Sequence, residues 1–151
     1  MSLIQSKYAK GQSAIPYPAF AGEVVAKRYW HQLTAAPAAN DILELAPIPQ
    51  GTRIINIILD ADDLDTGTAI TFDAGIMSGN WGDNDASRTI GNEFFAASTL
   101  LQGGGVAQPT KKEAYRVTPA INDRSIGIKF TGTLTGFQAG IVGLTVLYAT
   151  D

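Results

Sequence analysis

Between Thr52 and Asp60 the chain reads TRIINIILD, in which Ile54, Ile55, Ile57, Ile58 and Leu59 are almost uninterrupted. β-Branched side chains fit a pleated surface and lose χ1 freedom in a helix, so this run predicts a strand. Its near-continuous apolarity predicts a central strand covered on both faces. The segments EVVAKRYWHQL, DILELA, TAITFDAGIM, EAYRVTP, DRSIGIKFTGTL and AGIVGLTVLYAT have the same character, and Gly, Pro, Asp and Asn turns separate them. TIGNEFFAASTLLQ reads either as a strand through Phe94 or as a short helix over 93–102. No long amphipathic helix interrupts the series. About eight short strands spaced by turns predict an all-β antiparallel sandwich, jelly-roll-like, with two four-stranded sheets. An immunoglobulin-type sandwich competes, but the Cys–Trp–Cys hallmark is missing.

At 151 residues the chain suits one domain with a single core. It has no cysteine, which excludes disulfides, thiol nucleophiles and zinc–thiolate sites, and its one histidine, His31, excludes a site of several imidazoles. A net charge of −3 argues against a general nucleic-acid binder. No apolar run is long enough to cross a bilayer, and the N-terminus lacks the pattern of a signal peptide. Neither nucleic acid nor a membrane is therefore expected as a partner. Charge is segregated along the chain: residues 41–85 hold nine acids against the single base Arg53, while both flanking regions are mildly basic. Such segregation suits association between copies.

Residues 1–22 read as an extended N-terminal arm, broken by Pro16 and Pro18, ahead of a sandwich domain over 23–151. Ile15, Tyr17 and Phe20 are costly to leave in water, so the arm is expected to pack on a neighbour or on its own domain. Trp81, in the glycine-rich loop SGNWGDNDASR, joins them as a partner-binding candidate. Asp60, Asp62, Asp63 and Asp65 begin like a calcium loop, but Leu64 occupies the third ligand position and no helix flanks them. Asp83, Asn84 and Asp85 form a second oxygen-rich turn. No serine stands in a G-x-S-x-G elbow, and Gly103, Gly104 and Gly105 lack the partners of a phosphate loop. The chain is therefore expected not to be an enzyme, with no catalytic residues, metal or cofactor.

The combination DILELAPIPQGTRIINIILDADDLDTG, AITFDAGIMSGNWGD and GIVGLTVLYAT, within Glu23 to Asp151, resembles small virion proteins of tailed bacteriophages. The matching positions are Asp60, Asp62, Asp63, Leu64, Asp65 and Gly67, then Gly75, Ser78, Gly79, Trp81, Gly82 and Asp83, then Gly140, Gly143, Leu144, Thr145 and Val146. The family is that of capsid decoration, or cement, proteins. The resemblance implies a jelly-roll-like sandwich without catalytic residues, clamped outside the head shell where major capsid proteins meet. Expected partners are then the major capsid protein and further copies of the chain, as a dimer or trimer. The expected location is the virion, on the capsid exterior. A carbohydrate-binding or receptor-attachment β-sandwich module of a virion is the alternative, with Trp81 as a stacking platform.

Overall fold

A computed structural model describes residues 1–15 and 23–150. Its strands are Leu3–Gln5 (β1), Val24–Leu33 (β2), Ile42–Ile48 (β3), Thr52–Ala61 (β4), Phe72–Ile76 (β5), Phe95–Ser98 (β6), Gly105–Ala107 (β7), Arg124–Phe130 (β8) and Gly140–Thr150 (β9). Two 3-10 turns, Leu100–Gln102 and Lys112–Tyr115, are the helical elements among the described residues. The EAYRVTP segment thus opens in a turn instead of a strand. The ambiguous TIGNEFFAASTLLQ segment resolves into β6 followed by the first 3-10 turn.

The strands form a five-stranded sheet in the order β1-β3-β8-β5-β6 and a four-stranded sheet in the order β2-β9-β4-β7. Pairing is nested: β2 with β9, β3 with β8, β4 with β7 and β5 with β6, all antiparallel. Cross-pairs β4–β9 and β5–β8 complete the two sheets. One long hairpin wrapped on itself gives this order, which is the eight-stranded jelly roll.

β1 is a ninth strand, added parallel to β3 with Leu3 opposite Ile42. The first fifteen residues, which read as an extended arm, are therefore packed into the sandwich. Tyr8 explains why: its ring is 5% exposed and meets the Tyr29 ring edge-on at 4.8 Å. An edge-to-face aromatic pair at this spacing adds to the area it buries. Of the two supports expected for this segment, its own domain is the one that residues 1–15 show.

The core lies between the sheets. Period-two alternation aims Tyr29 and Leu33 of β2, Ile54, Ile57 and Leu59 of β4, Ile126, Ile128 and Phe130 of β8, and Val142, Leu144, Val146 and Tyr148 of β9 inward, all buried. The Tyr148 hydroxyl donates to the Pro47 carbonyl, satisfying its one polar atom in the core. β4 is central, as expected, but its second face differs from expectation. A bulge between Ile54 and Asn56 leaves Ile55 and Asn56 half-buried, and Ile58 is half-buried too. On that side Asn56 meets Gln108 and the Tyr115 hydroxyl, from the segment that follows β7.

Candidate functional site

The two sheets treat their outer faces differently. On the five-stranded sheet, Glu44, Gly127 and Gly75 lie in one row across β3, β8 and β5. The segment between β5 and β6 crosses over this row. Glycine is required for that: a Cβ at Gly127 would stand 2.7 Å from the Met77 sulfur, and one at Gly75 would overlap the Gly91 carbonyl and the Glu93 carboxylate. Beside them, Arg88 reaches down from the crossing segment to Glu44.

That pair is fully buried. The Arg88 Nη1 donates to Glu44 Oε1 at 2.9 Å, with side-chain exposures of 3% and 0%. Glu44 also accepts from the Ser125 hydroxyl (2.7 Å), the Gly82 N–H (3.1 Å) and Gln5 Nε2 (3.0 Å). Arg88 donates further to the Ser78 and Asp83 carbonyls and to Ser125 Oγ. Such complete pairing is what makes a buried charge tolerable. The network joins β1, β3, β8 and the loop that holds Trp81.

Trp81 itself is half-buried and packs against the core, and its backbone N–H donates to the Asp123 carbonyl at 2.9 Å. The ring is folded against the end of the sandwich. Ile15 is also half-buried against the core. Tyr17 and Phe20 lie outside the described residues. Near Trp81, Asn122 donates to Asn80 and the Gly51 N–H to the Ala120 carbonyl, which gathers three loops at this end. Ile121 at its tip is 96% exposed.

The opposite end is acidic and carries no Lys or Arg in its loops, 34–41, 61–71, 99–104 and 131–139. Its carboxylates serve the backbone. Asp65 accepts from the Gly67, Ala69 and Ile70 N–H groups at 2.9–3.0 Å. Those bonds, Gly67 and Ile70 foremost, hold its pKa below the usual carboxylate value. Asp62 accepts from the Ile141 N–H, Asp63 from Asp65, and Asp41 from Ser2 and Ala38. Burial pushes the Asp41 carboxyl up, but the Ala38 and Ser2 donors outweigh it, so its pKa is also lowered. Among the described residues no three His, Asp or Glu side chains converge as metal ligands. The acidic run anchors loops, and the repeated carboxylates reflect several separate caps.

His31 is half-buried on β2, where burial, then the charge of Lys10, lowers its pKa. Among the described residues no carboxylate is bonded to it in the manner of a general base's partner. An open cavity of about 310 Å³ lies beside β6, lined by residues 94–99 with Thr110 and Lys111. The Lys111 ammonium there is bound to the Asn92 carbonyl and side chain.

The outer face of the four-stranded sheet is the surface the sequence reading missed. Beside Ile58 on β4 it presents Val24 (54% exposed) and Ala26 on β2, Thr145 and Leu147 on β9, and Val106 (68% exposed) on β7. An ion pair crosses it: Arg28 to Asp60 at 2.6 Å, over Gly143, with side chains 44% and 32% exposed. The signal was present in sequence, since TRIINIILD and GIVGLTVLYAT are apolar at both parities. In TRIINIILD this reads as a strand covered on both faces, and in GIVGLTVLYAT as an alternating strand.

No family model and no curated protein matches the chain. Among solved structures, the chain is 46% identical to a chain from the capsid of Ralstonia phage GP4, with 99% of both chains covered and a TM-score of 0.93. A chain from the cyanophage Pam1 capsid asymmetric unit is 23% identical, with 92% of this chain and 93% of that one covered and a TM-score of 0.66, a likeness of fold.

Proposed function

The chain belongs to a family of phage capsid proteins, and from that premise we propose that this structural virion protein is a decoration, or cement, protein. In this reading it binds the outside of the head at junctions of the major capsid protein and stabilises the lattice. The match over 99% of both chains to a chain of a phage capsid carries the proposal, since it extends to the whole sandwich and its N-terminal strand. The sequence resemblance to decoration proteins supports the finer role. So does the architecture: a small, self-sufficient core whose end-loop carboxylates are spent on loop anchoring. Nothing in the role requires catalysis or a cofactor. Contacts repeated over a lattice sum, so each one need be only modest.

Binding of the purified protein to expanded, undecorated heads tests this. Saturable occupancy at micromolar protein, with heads more resistant to heat or chelation, is expected. No occupancy under those conditions overturns it.

A further inference from the structure

We propose that β1 is a strap that fixes the Trp81 loop through the Gln5 side chain. Lifting β1 from β3 loosens that loop while the jelly roll stays folded. The inference concerns the chain alone and stands whether or not the decoration reading does.

Separability is the first argument. The eight strands of the jelly roll complete their nested pairing without β1, which among the described residues pairs with β3 alone. Leu3, Ile4 and Gln5 are all half-buried. The attachment is short: the Ser6 N–H donates to the Glu44 carbonyl, the Ile42 N–H to the Ser2 carbonyl and the Ser2 N–H to the Asp41 carboxylate. Directly after β1 the character changes. Ser6, Tyr8 and Ala9 are buried, and residues 6–12 fold as a turn with bonds of their own. The Ala9 N–H donates to Ser6 Oγ, the Lys10 N–H to the Ser6 carbonyl and the Gln12 N–H to the Lys7 carbonyl. Tyr8 in the core therefore anchors the segment, and β1 is the part that lifts from that anchor. Elements with few buried groups open locally at lower free energy than the core.

Gly82 is where strap and loop meet. Its N–H donates to Glu44 Oε1 at 3.1 Å, and its carbonyl accepts from Gln5 Nε2 at 3.2 Å. The same Gln5 amide donates to Glu44 Oε2 at 3.0 Å. Both backbone groups of Gly82 are thus tied into a ring with Gln5 and Glu44. A Cβ at Gly82 would stand 3.1 Å from the Ala9 carbonyl, so the loop lies directly on the N-terminal segment. Around this point the loop is open to water, with Asn80, Asp83, Asn84 and Asp85 exposed. Gln5 reaches Gly82 while β1 holds its register, Gln5 opposite Glu44. Loss of that register withdraws the Gln5 amide from Gly82 and Glu44 together. Lifting β1 therefore bares the β3 edge and loosens the Trp81 loop in one event. Linkage makes the coupling reciprocal: whatever holds the loop open loosens β1 by the same factor.

Amide hydrogen exchange on the full chain tests this. Ile4→Pro places a residue that cannot donate to the ladder at the centre of β1. The Ser6 and Ile42 amides report β1, and the Trp81 and Gly82 amides report the loop. All four are expected to lose protection together, by about tenfold or more, while β4 and β9 remain the slowest to exchange. Gln5→Leu keeps the bulk of the side chain, removes both of its bonds and is expected to free the loop amides too. If Ile4→Pro leaves β1 seated, Gln5→Leu alone decides. Loop amides that stay protected after β1 is released overturn the inference, as does a Gln5→Leu chain with an unchanged loop. An Ile4→Pro chain that fails to fold, or whose β4 and β9 exchange as fast as β1, also overturns it, because β1 is then part of the core.

Discussion

Two arginine–carboxylate pairs of the molecule invite comparison, each on the outer side of a sheet and each beside a central-strand glycine. Arg88–Glu44 is sealed under a crossing segment, whereas Arg28–Asp60 lies open to solvent. The bond lengths are similar and the consequences are not. Water already solvates the second pair, so its formation gains little. The first has lost its water, so each partner depends on the other and on Ser125, Gly82 and Gln5. Hydrogen-bond geometry alone does not rank these contacts; burial does.

The largest contrast follows from removing one partner in each pair. Arg88→Met leaves Glu44 buried and uncompensated and is expected to cost about 3–5 kcal/mol in chemical denaturation. It should also release the Trp81 loop, seen as a shift in tryptophan emission. Arg28→Ala is expected to change stability by less than about 1 kcal/mol. Equal losses from the two variants would break the comparison.

The glycines give the next contrast. Gly75→Ala forces a methyl group into the Gly91 backbone, and overpacking of this kind costs about 1–3 kcal/mol. At Gly143 the atoms nearest the added methyl are the far ends of Arg28 and Asp60, which can swing away. Gly143→Ala should be nearly neutral, with reduced unfolded-state entropy offsetting the displaced pair. Thermal melts of the two variants side by side read this directly.

The smallest effects concern pH. Asp41 and Asp65 have lowered pKa values in the folded state. Their contribution is complete above the unfolded aspartate pKa of about 3.9 and is lost as pH falls through the folded values. His31, lowered from 6.5, acts in the same direction over a higher window. Its contribution is present above about 6.5 and is lost as pH falls through its folded pKa. A two-step fall of Tm on acidification is expected, and His31→Gln should remove the upper step alone.

Much of the fold is legible in sequence because β-branched runs and turn residues act locally. The strands around Ile57, Ile128 and Val146 follow from period-two burial, and the turn at Pro49–Gly51 from its composition. The N-terminal strand was not legible: three residues, LIQ, carry too little pattern, and β1 exists because β3 offers an unpaired edge. The candidate site was legible in part. Ile15 and Trp81 were singled out for their apolar surface, and the fold turns both toward its own core. Ile58 belongs to a run that reads as covered on both faces, and the structure leaves it half-buried.

By itself the sequence determined the strands, their number to within one, the absence of thiol chemistry and the acidic character of one loop. These depend on side-chain shape, turn propensity and charge, which act over a few residues. Tertiary structure decided that Arg88 meets Glu44, forty-four positions away. It also decided that the segment between β5 and β6 roofs the outer side of Gly75 and Gly127. The physical reason is that an apolar side chain is driven from water equally well by its own chain or by another molecule. Only the path of the backbone shows which of the two covers it.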